Sequence, residues 1–146
     1  MSIESKLTEL GITLPEAPAP AANYVPWVIS GNLLFVSGQI SALKGRLGDD
    51  LAVEQGAEAA RGCGLSLLAQ ARAALGSLDR VARVVKLGGF VNSTATFTDQ
   101  PEVVNGCSDL MVQVFGERGR HARAAVSAPS LPRGVAVEIE AIFEIA

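Results

Sequence analysis

Two side chains near the C-terminus hold most of the chemistry this sequence offers. In HARAAVSAPSLPRGVAVEIEAIFEIA, residues 121–146, Arg123 supplies a guanidinium and Glu138 a carboxylate, each within a short strand-like run. A guanidinium fork grips a carboxylate bidentately. A carboxylate beside a cleft orients water or takes its proton during attack on an electrophilic carbon. The bland alternative is a salt bridge from Arg123 to Glu138 or Glu140, with Glu138 as an outward-facing strand acid. Arg118, Arg120 and Arg133 complete a modest basic cluster with Arg123, read as a solvated loop because it lacks the interleaved aromatics that stack bases. His121, the one histidine, reads as a loop or interface residue. With it, Cys63 and Cys107 form no metal-ligand spacing and no nucleophile pattern, so they read as buried free thiols.

The elements that must position Arg123 and Glu138 follow from periodicity. From Val135 the chain alternates: Val137, Ile139, Ala141, Phe143 and Ile145 share one face, and Ala136, Glu138, Glu140, Ile142 and Glu144 the other. One apolar and one acidic face fit a sheet covered by helices on one side only. Arg123, Ala125 and Ser127 share a face of the preceding strand, and a turn at 130–134 joins the two. If these strands pair, Arg123 and Glu138 meet on the uncovered face, and the guanidinium lowers the Glu138 pKa and keeps it ionised.

Upstream, residues 2–10 read as a short helix ending at Gly11, followed by the extended Pro/Ala tether PEAPAPAAN. Tyr24 to Ile29 and Leu33 to Ser37 read as a hairpin turning at Ser30-Gly31-Asn32, where Gly31 and Asn32 accept positive φ. Gly38 to Asp50 reads as a loop, without a phosphate-cradling glycine pattern. Leu51 to Leu75 is predicted as the long helix, stopped by Gly76, with Ala57, Ala60 and Gly64 small enough to approach a sheet. Arg80 to Asn92 reads as a strand, its Gly88-Gly89 marking a bulge or a close backbone approach. Asp99 is the expected N-cap of a helix from Pro101 to Phe115, closed by Gly116.

The predicted order is β-β-α-β-α-β-β, a two-layer α+β fold with both helices on one face of a mixed sheet. All 146 residues are expected to form one domain, with 1–22 as an N-terminal extension and tether. Val36, Val84, Phe90 and Ile142 are expected on the other face, where an apolar patch calls for self-association. A net charge of −3 and a pI near 5.1 weigh against nucleic acid or an anionic membrane as constitutive partner. No signal peptide and no run of roughly 20 apolar residues appears, so a cytoplasmic protein is expected.

The segments NYVPW, FVSGQI, VVKLGGFVN and HARAAVSAPSLPRGVAVEIEAI together resemble the RidA/YjgF (reactive intermediate deaminase, endoribonuclease L-PSP) family, from about Tyr24 to Ile142. The resemblance implies a chorismate-mutase-like fold, a homotrimer with sheets facing inward and clefts between subunits, and no cofactor or metal. It implies hydrolysis of carboxylated enamines or imines, such as 2-aminoacrylate, to a keto acid and ammonia. Carried onto this chain, it makes Arg123 the carboxylate anchor and Glu138 the residue that positions water. Tyr24, Ser37, Gly38 and Asn105 become cleft residues. Ala125 stands where many deaminase-active members have cysteine, at a contact the family makes through main-chain atoms. A non-catalytic small-carboxylate binder of the same fold, and an RNA-acting protein, are the other classes that fit.

Overall fold

The computed structural model describes residues 2–20 and 22–146; Met1 and Ala21, the latter within the expected tether, lie outside the described residues. Three α-helices and five strands follow in the order α1 (Ile3–Glu9), β1 (Trp27–Ser30), β2 (Leu33–Ile40), α2 (Val53–Leu75), β3 (Val81–Asn92), α3 (Gln100–Phe115), β4 (Ala122–Ala128) and β5 (Val137–Ile145). The fold is the expected two-layer α+β arrangement: α2 packs on β2 and β5, and α3 on β3 and β4. Leu34, Leu87, Val91, Ile139 and Phe143 form the sheet side of the core, and Leu67, Leu110, Met111 and Val114 the helix side. Among the described residues, no helix is long and apolar enough to cross a membrane.

The sheet order is β1-β2-β5-β3-β4. This corrects the expected pairing of the last two strands, because β3 lies between them, parallel to β4 and antiparallel to β5. The segment 129–136 is not a tight hairpin turn. It crosses the end of β3, held there by Arg46 Nη2 on the Pro129 carbonyl (2.6 Å) and by Asn92 Nδ2 on the Val135 carbonyl (3.1 Å). Arg133 within it has φ 60°, a left-handed conformation rare outside glycine.

The open face is more mixed than the sequence indicates. Val36 and Val84 are buried on the helix side, whereas Phe35 (40% exposed) and Phe90 (37%) lie on the open side with Val28, Val126 and half-buried Ile142. β2 extends past Ser37 to Ile40, and its register slips by one residue between Val36 and Gln39, placing a bulge at Ser37-Gly38. Only Gly31 of the hairpin turn takes positive φ. Asp99 occupies the N-cap position of α3 but makes no side-chain capping bond; its carbonyl accepts from Val103 N–H instead.

Of the small residues of α2, Ala57 and Gly64 serve its contact with α3 rather than with the sheet. A Cβ on Gly64 would meet Leu110 and Cys107, and one on Gly106 would strike the Ala57 carbonyl. Backbone cannot yield as a side-chain tip does, so Gly106→Ala is expected to destabilise by about 2 kcal/mol or more in urea unfolding. Gly62→Ala, where a Cβ meets nothing within 4 Å, should stabilise by roughly 0.5 kcal/mol through helix propensity. Equal effects at the two positions would contradict this helix contact.

Candidate functional site

Five of the predicted site residues fall into two separate cavities. Tyr24, Gly38 and Glu138 line one cavity of about 440 Å³, together with Ile40, Gln39, Gln70, Arg133 and the tether residues 18–20 and 22. Arg123 and Asn105 line a second cavity of about 280 Å³, with Ser108, Asp109, Arg120 and His121.

Glu138 projects from the open face of β5, opposite Ile40 on β2 and Phe90 on β3. Its carboxylate lies over Gly38, so any Cβ there would collide with Glu138 Oε2. The Ser37-Gly38 bulge thus has two functions: it lets the carboxylate settle onto bare backbone, and it turns Ser37 away. Ser37 Oγ donates to the Val25 carbonyl (2.8 Å) and its N–H to the Pro26 carbonyl (2.9 Å), which tie the hairpin entry to β2. Glu140 repeats the arrangement over Gly88. Gly88-Gly89 is thus not a bulge, and what comes close is side chain rather than another backbone: Glu140 at Gly88 and Val104 of α3 at Gly89.

The expected electrostatics of Glu138 are overturned. Burial, and then the like charge of Glu140, push its carboxyl above the usual carboxylate range. Arg123 lies two strands away and three residues along β3, since Leu87 pairs with Arg123 and Phe90 with Glu138. That places the two Cα atoms about 14 Å apart by strand geometry. The faces differ as well: Arg123 turns toward α3, donating from Nη1 to Ser108 Oγ (3.1 Å) and from Nη2 to the Pro101 carbonyl (3.2 Å). Ala125 shares that side, half-buried against the core.

Ser108 and Gln70 escaped the sequence reading, and Arg133 entered it only as part of a solvated basic cluster. Ser108, inside a helix run, gave no local signal, although a lone histidine two positions before the arginine was a reason to look for its partner. Gln70 is buried in the apolar stripe of α2 and donates to the Pro18 carbonyl (2.6 Å), pinning the tether as a wall of the Glu138 cavity. Arg133 enters that cavity because its turn crosses β3. Cys63 and Cys107 are buried free thiols; burial, reinforced by Glu138, pushes the Cys63 thiol up to about 12, which leaves it inert. Among the described residues, no group of three His, Cys, Asp or Glu side chains is placed to hold a metal.

Comparison with known proteins gives a consistent picture. The family model described as "YjgF/chorismate mutase-like, putative endoribonuclease" matches residues 4–143. Protein TCP17 of Trypanosoma cruzi is 52% identical, the match covering 98% of this chain and 94% of that protein. A crystal structure from Shewanella oneidensis with the same endoribonuclease description is 33% identical, with TM-score 0.96, covering 99% of this chain and all (100%) of that one. E. coli TdcF, solved with bound serine, is 27% identical, with TM-score 0.62, covering 90% of this chain and 94% of that one.

The Glu138 environment makes a signed prediction. A folded pKa above the unfolded value means the ionised carboxylate opposes folding at neutral pH, and this penalty disappears as pH falls below the unfolded value of about 4.5. Glu138→Gln should therefore hold or raise Tm at pH 7, and the difference should vanish near pH 4. A Tm loss at pH 7 that disappears on acidification would contradict the assigned sign.

Proposed function

This chain belongs to the RidA/YjgF family, and on that premise we propose that it hydrolyses small carboxylated imines and enamines of the 2-aminoacrylate type in clefts between its own copies. The observation that carries this reading is the separation of Arg123 and Glu138 into two cavities, Arg123 on the helix side of the edge strand β4 and Glu138 on the open side of the central strand β5. One chain does not bring anchor and acid together, and a second copy would. The exposed Phe35, Phe90, Val28 and Val126 on the open face are surface such an assembly would bury. A homotrimer with inward-facing sheets is the assembly proposed, in line with the family.

In this reading the substrate carboxylate sits on the Arg123 fork. The enamine reacts as its imine tautomer, and the Glu138 carboxylate takes a proton from water as the oxygen attacks the imine carbon. That proton passes to the imine nitrogen, and the resulting carbinolamine loses ammonia as its hydroxyl proton moves to the departing amine, the C–N bond breaks and the carbonyl forms, so one imine and one water give one keto acid and one ammonia. A carboxyl raised toward neutrality is a more effective base and acid than an ordinary glutamate, and burial already supplies that shift. Tyr24 and Asn105, one in each cavity, are positioned to line the combined cleft, and Gly38 sets the carboxylate's place. The serine held by TdcF is itself a small α-amino carboxylate.

That bound serine equally favours a second reading, a non-catalytic binder of small carboxylates. Glu138→Gln separates the two: a catalyst loses turnover while keeping carboxylate affinity, and a binder changes little.

The test is ammonia release from 2-aminoacrylate generated in situ, with assembly verified for each protein. Wild type should accelerate release and Arg123→Ala should lose roughly tenfold or more. Gly38→Ala, which displaces the Glu138 carboxylate, should lower kcat more than it raises KM. Equal acceleration by wild type and Arg123→Ala would overturn the assignment.

A further inference from the structure

Next to Arg123 lies a chain of hydrogen bonds whose direction is fixed at every link. His121 Nδ1 is 2.6 Å from the Gly119 carbonyl oxygen, which only accepts, so Nδ1 holds the proton. In the neutral ring Nε2 is then the acceptor, and Ser108 Oγ, 2.8 Å away, donates to it. The Ser108 oxygen keeps its lone pairs for Arg123 Nη1 at 3.1 Å. The order is guanidinium to hydroxyl, hydroxyl to imidazole, imidazole to carbonyl. Burial first, and the Arg123 charge after it, hold His121 below its ordinary pKa against the raising pull of the Gly119 bond, so the ring is neutral at pH 7.

Both ends of this chain are fixed to α3. Ser108 lies on that helix, and its hydroxyl bonds outward to His121 and Arg123, whereas a mid-helix serine commonly bonds back to its own helix. Gly119 packs so closely that a Cβ would strike the Met111 carbonyl, so the accepting carbonyl has little room to move. Arg123 Nη2 on the Pro101 carbonyl supplies a second attachment to the helix. Two of the five guanidinium N–H donors are committed in this way, and three remain for a ligand.

Resting on the anchoring role of Arg123 given above, we propose that Ser108 and His121 are positioning residues that set the guanidinium plane and thereby the affinity for the substrate carboxylate. A free arginine has several rotatable bonds and loses their entropy on binding; one held at two nitrogens has already lost it, and its fork is preset for a bidentate carboxylate. The effect belongs in carboxylate binding, and turnover once substrate is bound is left nearly intact.

Two measurements on the assembled protein test this. The first needs no ligand: ¹⁵N–¹H spectra of the Arg123 guanidinium should show restricted rotation in wild type and Ser108→Thr, which keeps the hydroxyl, and free rotation in Ser108→Ala and His121→Ala. The second is calorimetric affinity for pyruvate and for serine, with KM and kcat for 2-aminoacrylate. Ser108→Ala and His121→Ala should each weaken binding and raise KM roughly tenfold with kcat within about twofold, and the double variant should be no worse than either single one, since both act through one path. Ser108→Thr should restore affinity. A freely rotating guanidinium in wild type overturns the proposal, as does unchanged affinity in Ser108→Ala when Arg123→Ala abolishes it. If Arg123→Ala itself leaves affinity and KM unchanged, the anchoring role fails instead, and the guanidinium spectra still judge the hydrogen-bond chain.

Discussion

β3 is hydrogen-bonded along both edges, parallel to β4 and antiparallel to β5. That single placement separates the guanidinium from the carboxylate, turns Arg123 to the helix side at one sheet edge, and leaves Glu138 on the open side of the central strand. It also requires the segment after β4 to cross the end of β3, which carries Pro132 and Arg133 to the rim of the Glu138 cavity. A polypeptide that had paired β4 with β5 would hold Arg123 and Glu138 as an internal ion pair, with Glu138 acidified and satisfied. In the observed order the carboxylate is raised and the guanidinium keeps unused donors. Both are states suited to meeting a ligand.

The open face shows how a strand's second side acquires chemistry. Its apolar members alternate with the carboxylates of Glu138 and Glu140, and each carboxylate lies over a glycine of the adjacent strand, Gly38 on β2 and Gly88 on β3. A side chain at either glycine would lift the carboxylate off the sheet. The raised pKa of Glu138 follows from this close seating beside a second acid. The tether forms another wall of the same cavity, pinned by the buried amide of Gln70, while α1 is fixed through Ile3 and Leu7 in the core and a 2.7 Å bond from Ile3 N–H to Asp79.

Much of the fold was legible because it is written in local periods. The alternation of β5, the stripes of α2 and α3, and the glycine stops at Gly76 and Gly116 are all properties of short windows. Strand order is not. The period of β4 says which residues share a face but not which strand lies alongside, so it puts Arg123 on the wrong side and makes the Ser130–Gly134 turn resemble a hairpin. The RidA/YjgF resemblance named residues that do line two cavities, Tyr24, Gly38 and Glu138 in one and Arg123 and Asn105 in the other. It placed Ser37 as well, whose hydroxyl instead ties β2 to Val25. What surrounds Arg123 was invisible for a different reason: the Ser108–His121 contact joins residues on two elements, and no period encodes a single long-range hydrogen bond.

In the proposed assembly a working cleft takes Arg123 from one copy and Glu138 from another. Mixing decides it. Arg123→Ala and Glu138→Gln chains, each strongly impaired as pure assemblies, would be dissociated and reassembled together, and ammonia release from 2-aminoacrylate measured with mixed assembly verified by mass spectrometry. Random mixing gives about a quarter of clefts an intact pair, so activity should return to roughly that fraction of wild type. Mixed assemblies that form and stay inactive would contradict the account, because the two residues would then have to act within one chain.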